Sequence, residues 1–281
     1  MKIITLLIIN LILLPIAYAK SDKHLFIVSG VIVNSKSSKK VDSFVKMIEE
    51  KSSYKLKAFY VDSYARLSEI LRNNPDALAW TCGAPYVEDS IKDKQQLIAV
   101  PLFNNKPTYS SFIVTKKSSK ATSLLDFKDK IFAYSDSRSN SGFVAPSQYL
   151  KIHNHHLKDF FRIKINAGTH ERSIEAIYRG IADVGAIDEY VWVDYIKTRP
   201  KIAEKLHVIQ KMGPYPFTPI VAGKGVSIKM IKKLQVAFTT LNKAELKQFN
   251  HDFKLDGFVI KKPSFFNPIK TMLINLNIIS K

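Results

Sequence analysis

Short apolar runs alternate with stretches whose apolar residues recur at helical spacing, and that alternation limits the possible folds more than any other feature of this chain. Leu25 to Val33 reads as a strand, and Val41, Phe44, Val45 and Ile48 follow at i, i+3, i+4, i+7, the spacing of a helix with one buried face. Leu56 to Val61 leads through Asp62-Ser63 into a helix from Tyr64 to Arg72, which Asn73-Asn74-Pro75 ends. Ala77 to Trp80 is a third short strand, then come Cys82-Gly83-Ala84-Pro85-Tyr86 and a helix to about Lys92. A βαβαβα unit implies a parallel, doubly wound sheet. Tyr64 stands at one of its strand-to-helix junctions, the edge at which such sheets bind ligands.

A second series follows. Gln96 to Phe103 is a strand, Asn104-Asn105-Lys106-Pro107 is a turn cluster, and Ser110 to Thr115 is a strand that carries the chain into a second lobe, with Tyr109 at the mouth between the two. Leu124 to Phe127 is a helical turn. Phe160 to Ile165 reads as a strand, and Asn166-Ala167-Gly168-Thr169-His170 turns into a helix from Glu171 to Arg179 that Gly180 closes. Asp183 to Asp188 is a strand that leaves Asp188 at its carboxyl end, before a helix from Tyr190 to Ile196. Leu206 to Gln210 is a further strand, and Gly213 to Pro219 a return crossing into Ile220 to Ala222. Ser227 caps a helix to about Leu241 whose residues Ile228, Ile231, Leu234, Phe238 and Leu241 line one face. The tail is expected on the first lobe.

Between the strand Ile131 to Tyr134 and a helix from Phe143 to Leu150 lies Asp136-Ser137-Arg138-Ser139-Asn140-Ser141-Gly142. Hydroxyls of Ser137, Ser139 and Ser141, the Asn140 amide and the N–H groups of a first helical turn would converge there as anion donors. An ordinary helix cap uses the same residue types. His170 shares this kind of position; a bound anion would raise its pKa and let both ring nitrogens donate, whereas the helix field opposes protonation. His153, His155 and His156 crowd a polar segment with no carboxylate or cysteine at matching spacing, so neither a metal nor any other cofactor is expected.

The N-terminus bears on location. Lys2, the apolar stretch Ile3 to Ile16 and Ala17-Tyr18-Ala19 read as a signal peptide, residues 1–19, cut after Ala19. A retained anchor is the competing reading, and no later run approaches the roughly 20 apolar residues that span a bilayer. An exported chain with 46% apolar residues can bury sizeable cores, and its single cysteine, Cys82, cannot form an internal disulfide. Cys82 is expected as a buried, inert thiol. The net charge of +19 comes from lysines scattered along the chain without base-stacking aromatics or zinc spacing, which argues against nucleic acid. A diffuse positive field concentrates small anions instead.

In order and spacing these landmarks resemble the periplasmic phosphate-, phosphite- and phosphonate-binding proteins of ABC transporters, over nearly all the exported chain. Tyr64 follows the second strand, Trp80-Thr81-Cys82-Gly83-Ala84-Pro85-Tyr86 has the family's apolar character, and Tyr109 opens the first crossing strand. Ser139-Asn140-Ser141-Gly142 is similar to the family's Ser-Thr-Ser-Gly anion loop, Asn-Ala-Gly-Thr-His ends in its ligand-facing histidine, and Gly-Pro-Tyr-Pro resembles its return hinge. The resemblance implies an α/β, two-lobed type II periplasmic binding protein. Each lobe would be a doubly wound, mainly parallel sheet with flanking helices, with the ligand cleft between lobes. Lobe 1 would comprise residues 20–108 plus 217–281 and lobe 2 residues 109–216. A small phosphorus oxyanion would be held by Tyr64, Tyr109, Ser139, Asn140, Ser141 and His170, with Asp188 accepting a proton from it, for delivery to an ABC permease by a periplasmic monomer.

Departures from the pattern narrow that implication. Asn140 replaces the usual Thr, and Tyr190 and Thr218 occupy the places of two acids that answer a ligand ammonium in aminoalkyl-phosphonate binders, unless Asp188 or Glu189 does that work. A sensor's binding component or a binder of another small anion are alternatives. Catalysis is the rival class: Ser139 or Ser141 with His170 and Asp188 could make a triad, but no Gly-x-Ser-x-Gly elbow surrounds either serine.

Overall fold

A computed structural model describes residues 23–31 and 38–280, so the N-terminal segment read as a signal peptide lies outside the described residues. The chain runs β1 (His24–Ser29), α1 (Ser38–Ser52), β2 (Leu56–Val61), α2 (Tyr64–Asn73), β3 (Leu78–Trp80), α3 (Gly83–Lys92) and β4 (Gln96–Pro101). Next come β5 (Thr108–Lys116), β6 (Ile131–Tyr134), α4 (Ala145–Ile152), α5 (Leu157–Phe160), β7 (Ile163–Asn166), α6 (His170–Arg179), β8 (Val184–Asp188), α7 (Glu189–Lys197), α8 (Pro200–Ala203) and β9 (Leu206–Pro216). The chain finishes with β10 (Ile220–Ala222), α9 (Ile228–Thr239), α10 (Lys243–Phe253), β11 (Phe258–Val259) and α11 (Asn267–Asn275).

These strands form two sheets, one of six strands in the order β11-β4-β10-β3-β1-β2 and one of five in the order β7-β6-β8-β5-β9. In the first, β1 pairs in parallel with β2 and β3, while β10 runs antiparallel to both β3 and β4 and β11 antiparallel to β4. In the second, β6 is parallel to β7 and β8, and β5 is antiparallel to β8 and β9. Most strands of each sheet therefore share one direction, and their carboxyl ends face the other sheet's loops. Helices cover both faces, which is why every residue of β3 and β8 is buried, Asp188 at the end of β8 included.

The first core is aromatic, with Phe44 touching Phe26, Trp80, Phe238, Phe249, Phe253 and Phe258. The last helix joins it through Phe266, Ile269 and Leu273, and Lys151 of α4 donates to the Asn275 carbonyl, so the tail bridges both sheets rather than packing on the first alone. Three local expectations change. The stretch from Phe160 to Ile165 is not one strand: Phe160 ends α5, and Phe161 turns inward to stack on Phe132 at 4.6 Å before β7 begins. Strand β9 continues to Pro216, paired with β5 along its length through two shifts of register, leaving only Phe217 to Pro219 as the return crossing. Ile228 is 71% exposed, because it occupies the first turn of α9 beyond the edge of the core.

Candidate functional site

The stretch after β6 makes a single π-type turn, Asn140–Val144, before α4, and Ser139 caps it by accepting from the Gly142 N–H at 3.0 Å. The loop is tightly wound: a β-carbon added at Gly142 would come within 2.6 Å of Ser135 Oγ and 3.1 Å of Ser139 Oγ. A larger residue would have to push both serine hydroxyls aside, so the close approach favours glycine there. Ser139, Asn140 and Ser141 are buried, with Ser111 Oγ donating to the Ser141 carbonyl at 2.6 Å. Ser139 thus caps the turn, as an ordinary helix cap does, and also faces the buried polar cluster.

Ser137 is exposed and stands outside that cluster, contrary to expectation, while the other sequence-derived site residues join it. The Asn140 Nδ2–H donates to Tyr109 Oη at 3.1 Å, and the Asn140 backbone N–H points to Cys82 Sγ at 3.4 Å. Tyr64 packs with Val31 and Cys82, and burial, with the charges of Cys82, Asp136, Asp188 and Tyr109 adding, holds its phenol protonated well above the usual range. Ser141 Oγ–H points to Asp188 Oδ2 at 3.4 Å, while Asp188 Oδ1 accepts from the Tyr190 N–H at 2.9 Å and so caps α7. Tyr109 is not at an open mouth as expected; it is buried, its ring against Phe217 at 5.4 Å. Tyr64 Oη and Asn140 Oδ1 are buried and have no hydrogen-bond partner within the protein. A buried polar atom without a partner is costly, and two of them border this cluster.

His170 is held by contacts on both ring nitrogens. The Asp188 backbone N–H donates to Nδ1 at 3.2 Å, which requires that nitrogen to be unprotonated and puts the ring hydrogen on Nε2, facing Ser135 Oγ at 3.1 Å and Ser139 Oγ at 3.4 Å. Burial, against a smaller opposing pull from the Ala186 carbonyl, pushes its pKa down to about 3. The ring is thus neutral and turned toward two serines, whereas the imidazolium with two donating nitrogens was expected only with an anion bound. The same geometry separates the groups of a triad, since Nδ1 faces a backbone N–H rather than a carboxylate.

Asp188 is displaced the other way, raised to about 7 chiefly by burial, with the Tyr190 and Val191 N–H groups opposing. A carboxyl so placed can share a proton with a ligand oxygen near neutrality. The cluster of Tyr64, Cys82, Tyr109, Ser139, Asn140, Ser141, His170 and Asp188 contains no lysine or arginine, so an anion there would be met by hydrogen-bond dipoles. The acid-replacing positions are occupied otherwise: Tyr190 Oη–H donates to the Phe253 carbonyl at 2.7 Å, and Thr218 Oγ1 accepts from Trp80 Nε1–H at 3.1 Å. Glu189 Oε2 accepts from the Ser110 N–H at 2.8 Å. Cys82 is buried as expected, its thiol pushed up to about 11 mainly by burial. The three clustered histidines lie elsewhere, His153 against Tyr149 and His155 against Phe160.

Residues from both sheets, among them Asp62, Ser63, Arg66, Gly168, Thr169 and Arg172, line a cleft of about 1060 Å³ beside the cluster. Contacts between the sheets that local sequence patterns do not announce also frame it. Asp136 accepts from the Tyr64 and Arg138 N–H groups, and Arg138 reaches across to Asp89. Their signal in the sequence was only that two charged residues sit inside a serine-rich turn.

Comparison with known proteins gives one consistent result. The family model for the periplasmic substrate-binding protein of phosphonate ABC transporters matches residues 32–264. The phosphonates-binding periplasmic protein of Escherichia coli K12 is 30% identical over 190 residues, which are 66% of this chain and 56% of that protein, so the match spans less than two thirds of the relative's length. PhnD1 of Prochlorococcus marinus MIT 9301, solved in complex with methylphosphonate, superposes with a TM-score of 0.81 at 21% identity, covering 92% of this chain and 100% of that one. A binding protein component of an ABC phosphonate transporter from Pseudomonas aeruginosa gives 0.78 at 23% identity, covering 90% and 87%. These likenesses establish the two-lobed type II binding-protein fold.

Proposed function

Because this chain belongs to the family of periplasmic substrate-binding proteins of phosphonate ABC transporters, we propose that it captures a small phosphorus oxyanion between its lobes and hands it to an ABC permease. The observation that carries this reading is the buried set of hydroxyl and amide groups around Ser139, Asn140 and Ser141, with Tyr64 Oη and Asn140 Oδ1 left without protein partners. Tyr64, Tyr109, Ser139, Asn140 and Ser141 contact the anion; Asp188 shares its proton; His170 orients Ser139 from behind. Lobe 1 comprises residues 20–108 plus 217–281 and lobe 2 residues 109–216. The protein is a periplasmic monomer released by cleavage after Ala19, and it performs no chemistry on its ligand.

The ligand in this reading lacks an amino group. Tyr190 and Thr218 are hydrogen-bonded to protein groups, Glu189 is engaged by Ser110, and Asp188 alone would have to answer an ammonium. Methylphosphonate and phosphite therefore rank ahead of 2-aminoethylphosphonate. A thermal-shift panel of phosphate, phosphite, methylphosphonate, 2-aminoethylphosphonate and sulfate tests this: ligand at 100 times its Kd stabilises the fold by about 2.7 kcal/mol. A panel in which no phosphorus compound raises the Tm overturns the assignment, and a response to sulfate alone replaces it with another anion.

A further inference from the structure

The residue that precedes the Ser139–Ser141 loop makes its strongest contacts in the opposite lobe. Arg138 Nη2–H donates to Asp89 Oδ1 of α3 at 2.7 Å, lies 3.5 Å from Glu88 Oε2, and its Nη1–H donates to Ser68 Oγ of α2. Asp89 is itself prepared for this: Ser68 Oγ–H and Gln95 Nε2–H both donate to its Oδ2, and its side chain is only 4% exposed. Two residues before Arg138, Asp136 Oδ2 accepts the first backbone N–H of α2, from Tyr64, at 3.1 Å. The short segment 136–138 is thus fastened to α2 and α3 by one carboxylate and one guanidinium, and the buried cluster begins at the next residue.

We propose that Arg138 is a positioning residue for ligand capture: its fork across the cleft to Asp89 and Ser68 draws the lobes together ahead of the ligand and sets where Ser139, Asn140 and Ser141 stand relative to Tyr64. A carboxylate as buried as Asp89 is stabilised by a hydrogen-bonded cation and disfavoured without one, so separating the lobes costs free energy that the closed state does not incur. Guanidinium suits the role because it engages Ser68 and Asp89 through two different nitrogens at fixed geometry, which an ammonium cannot do. A ligand that binds only the closed arrangement gains affinity in proportion to the fraction of chains already closed.

Because the binding half of this inference rests on the proposed phosphorus-oxyanion reading, the test has one arm without ligand and one with methylphosphonate as the probe. Small-angle scattering on the ligand-free protein is expected to show a larger radius of gyration for Arg138→Ala and for Asp89→Asn than for wild type, with Arg138→Lys between. Calorimetry is expected to show methylphosphonate affinity weakened roughly ten- to a hundredfold by either substitution, as a coupling of this kind commonly gives, and the double variant no weaker than the more damaged single one. Unchanged scattering in folded Arg138→Ala and Asp89→Asn overturns the proposal, as do losses of affinity that multiply independently. Should Arg138→Ala fail to fold, Asp89→Asn and Arg138→Lys decide on the same criteria. If wild type binds none of the panel, the ligand assignment fails while the ligand-free scattering still decides the latch.

Discussion

The backbone N–H of Tyr64 donates to Asp136 Oδ2 at 3.1 Å, so the first turn of a helix on one sheet is held by a carboxylate from a loop on the other. That carboxylate also accepts the Arg138 N–H at 2.7 Å, which ties the cross-lobe contact to the start of the serine loop. Asp136→Ala removes both bonds. Losing a hydrogen bond to a charged acceptor costs about 1.5–3 kcal/mol each at most, and water that enters the cleft recovers part of it. The expected result is a fold that melts a few degrees lower and binds methylphosphonate at least tenfold more weakly, read by thermal unfolding and calorimetry.

Ser139→Ala removes a ligand donor and a turn cap at once, since Ser139 Oγ accepts the Gly142 N–H. A lost cap costs about 0.5–2 kcal/mol of stability, and a lost hydrogen bond to an anion about 1.5–3 kcal/mol of binding. Affinity should fall roughly ten- to a hundredfold with a modest drop in Tm. Unchanged affinity in the folded variant places the anion elsewhere.

Gly142→Ala probes the loop's shape rather than its donors. The added methyl would meet Ser135 Oγ at 2.6 Å, so the serines must shift, at a cost of about 1–3 kcal/mol for overpacking. Circular dichroism should show the fold retained while calorimetry shows binding reduced more than in Ser139→Ala, because the whole loop moves.

Asp188 and His170 oppose each other in pH dependence. Asp188, raised to about 7 when folded, holds a proton that the unfolded chain has already released above the ordinary carboxylate range. Its contribution is complete at low pH and is lost as pH rises to about 7. His170, depressed to about 3, is the reverse: its contribution is complete above the ordinary imidazole range and is lost as pH falls toward about 3. Each slope amounts to at most about 1.4 kcal/mol per pH unit. In the overlap between about pH 4 and 6.5 the two slopes cancel, so the ligand-free wild type should show a shallow Tm profile there. Asp188→Asn, which keeps an acceptor for Tyr190, should leave a profile that drops on acidification, and His170→Gln one that drops as pH rises. Parallel profiles for all three proteins would contradict this account.

Much of this architecture was legible because each strand-to-helix step carries its own local mark. Ser227 caps α9 as expected, Ser63 and Thr169 cap at the turns that lead into α2 and α6, Gly180 closes α6 in the left-handed conformation, and the apolar runs from Leu56 to Val61 and Ile131 to Tyr134 are strands as read. What escaped depends on partners distant in sequence. Phe161 looks like a strand residue until Phe132 is beside it, and nothing adjacent to Arg138 discloses Asp89. The surroundings of His170 escaped for the same reason: a helix terminus is visible locally, while the burial and the Asp188 N–H that govern the ring come from another strand.

The place of β4 in its sheet governs how this protein can assemble. Both of its neighbours, β10 and β11, come from far later in the chain, whereas the other sheet is complete within residues 108–216. As the polypeptide emerges, the second sheet can close on itself while β4 waits for residues 220–222 and 258–259. Pairings of such long sequence separation slow folding, because the loop-closure entropy precedes the contacts that offset it. A chain interrupted before Ile220 would keep the facing edges of β3 and β4 open, and unpaired strand edges are where aggregation starts.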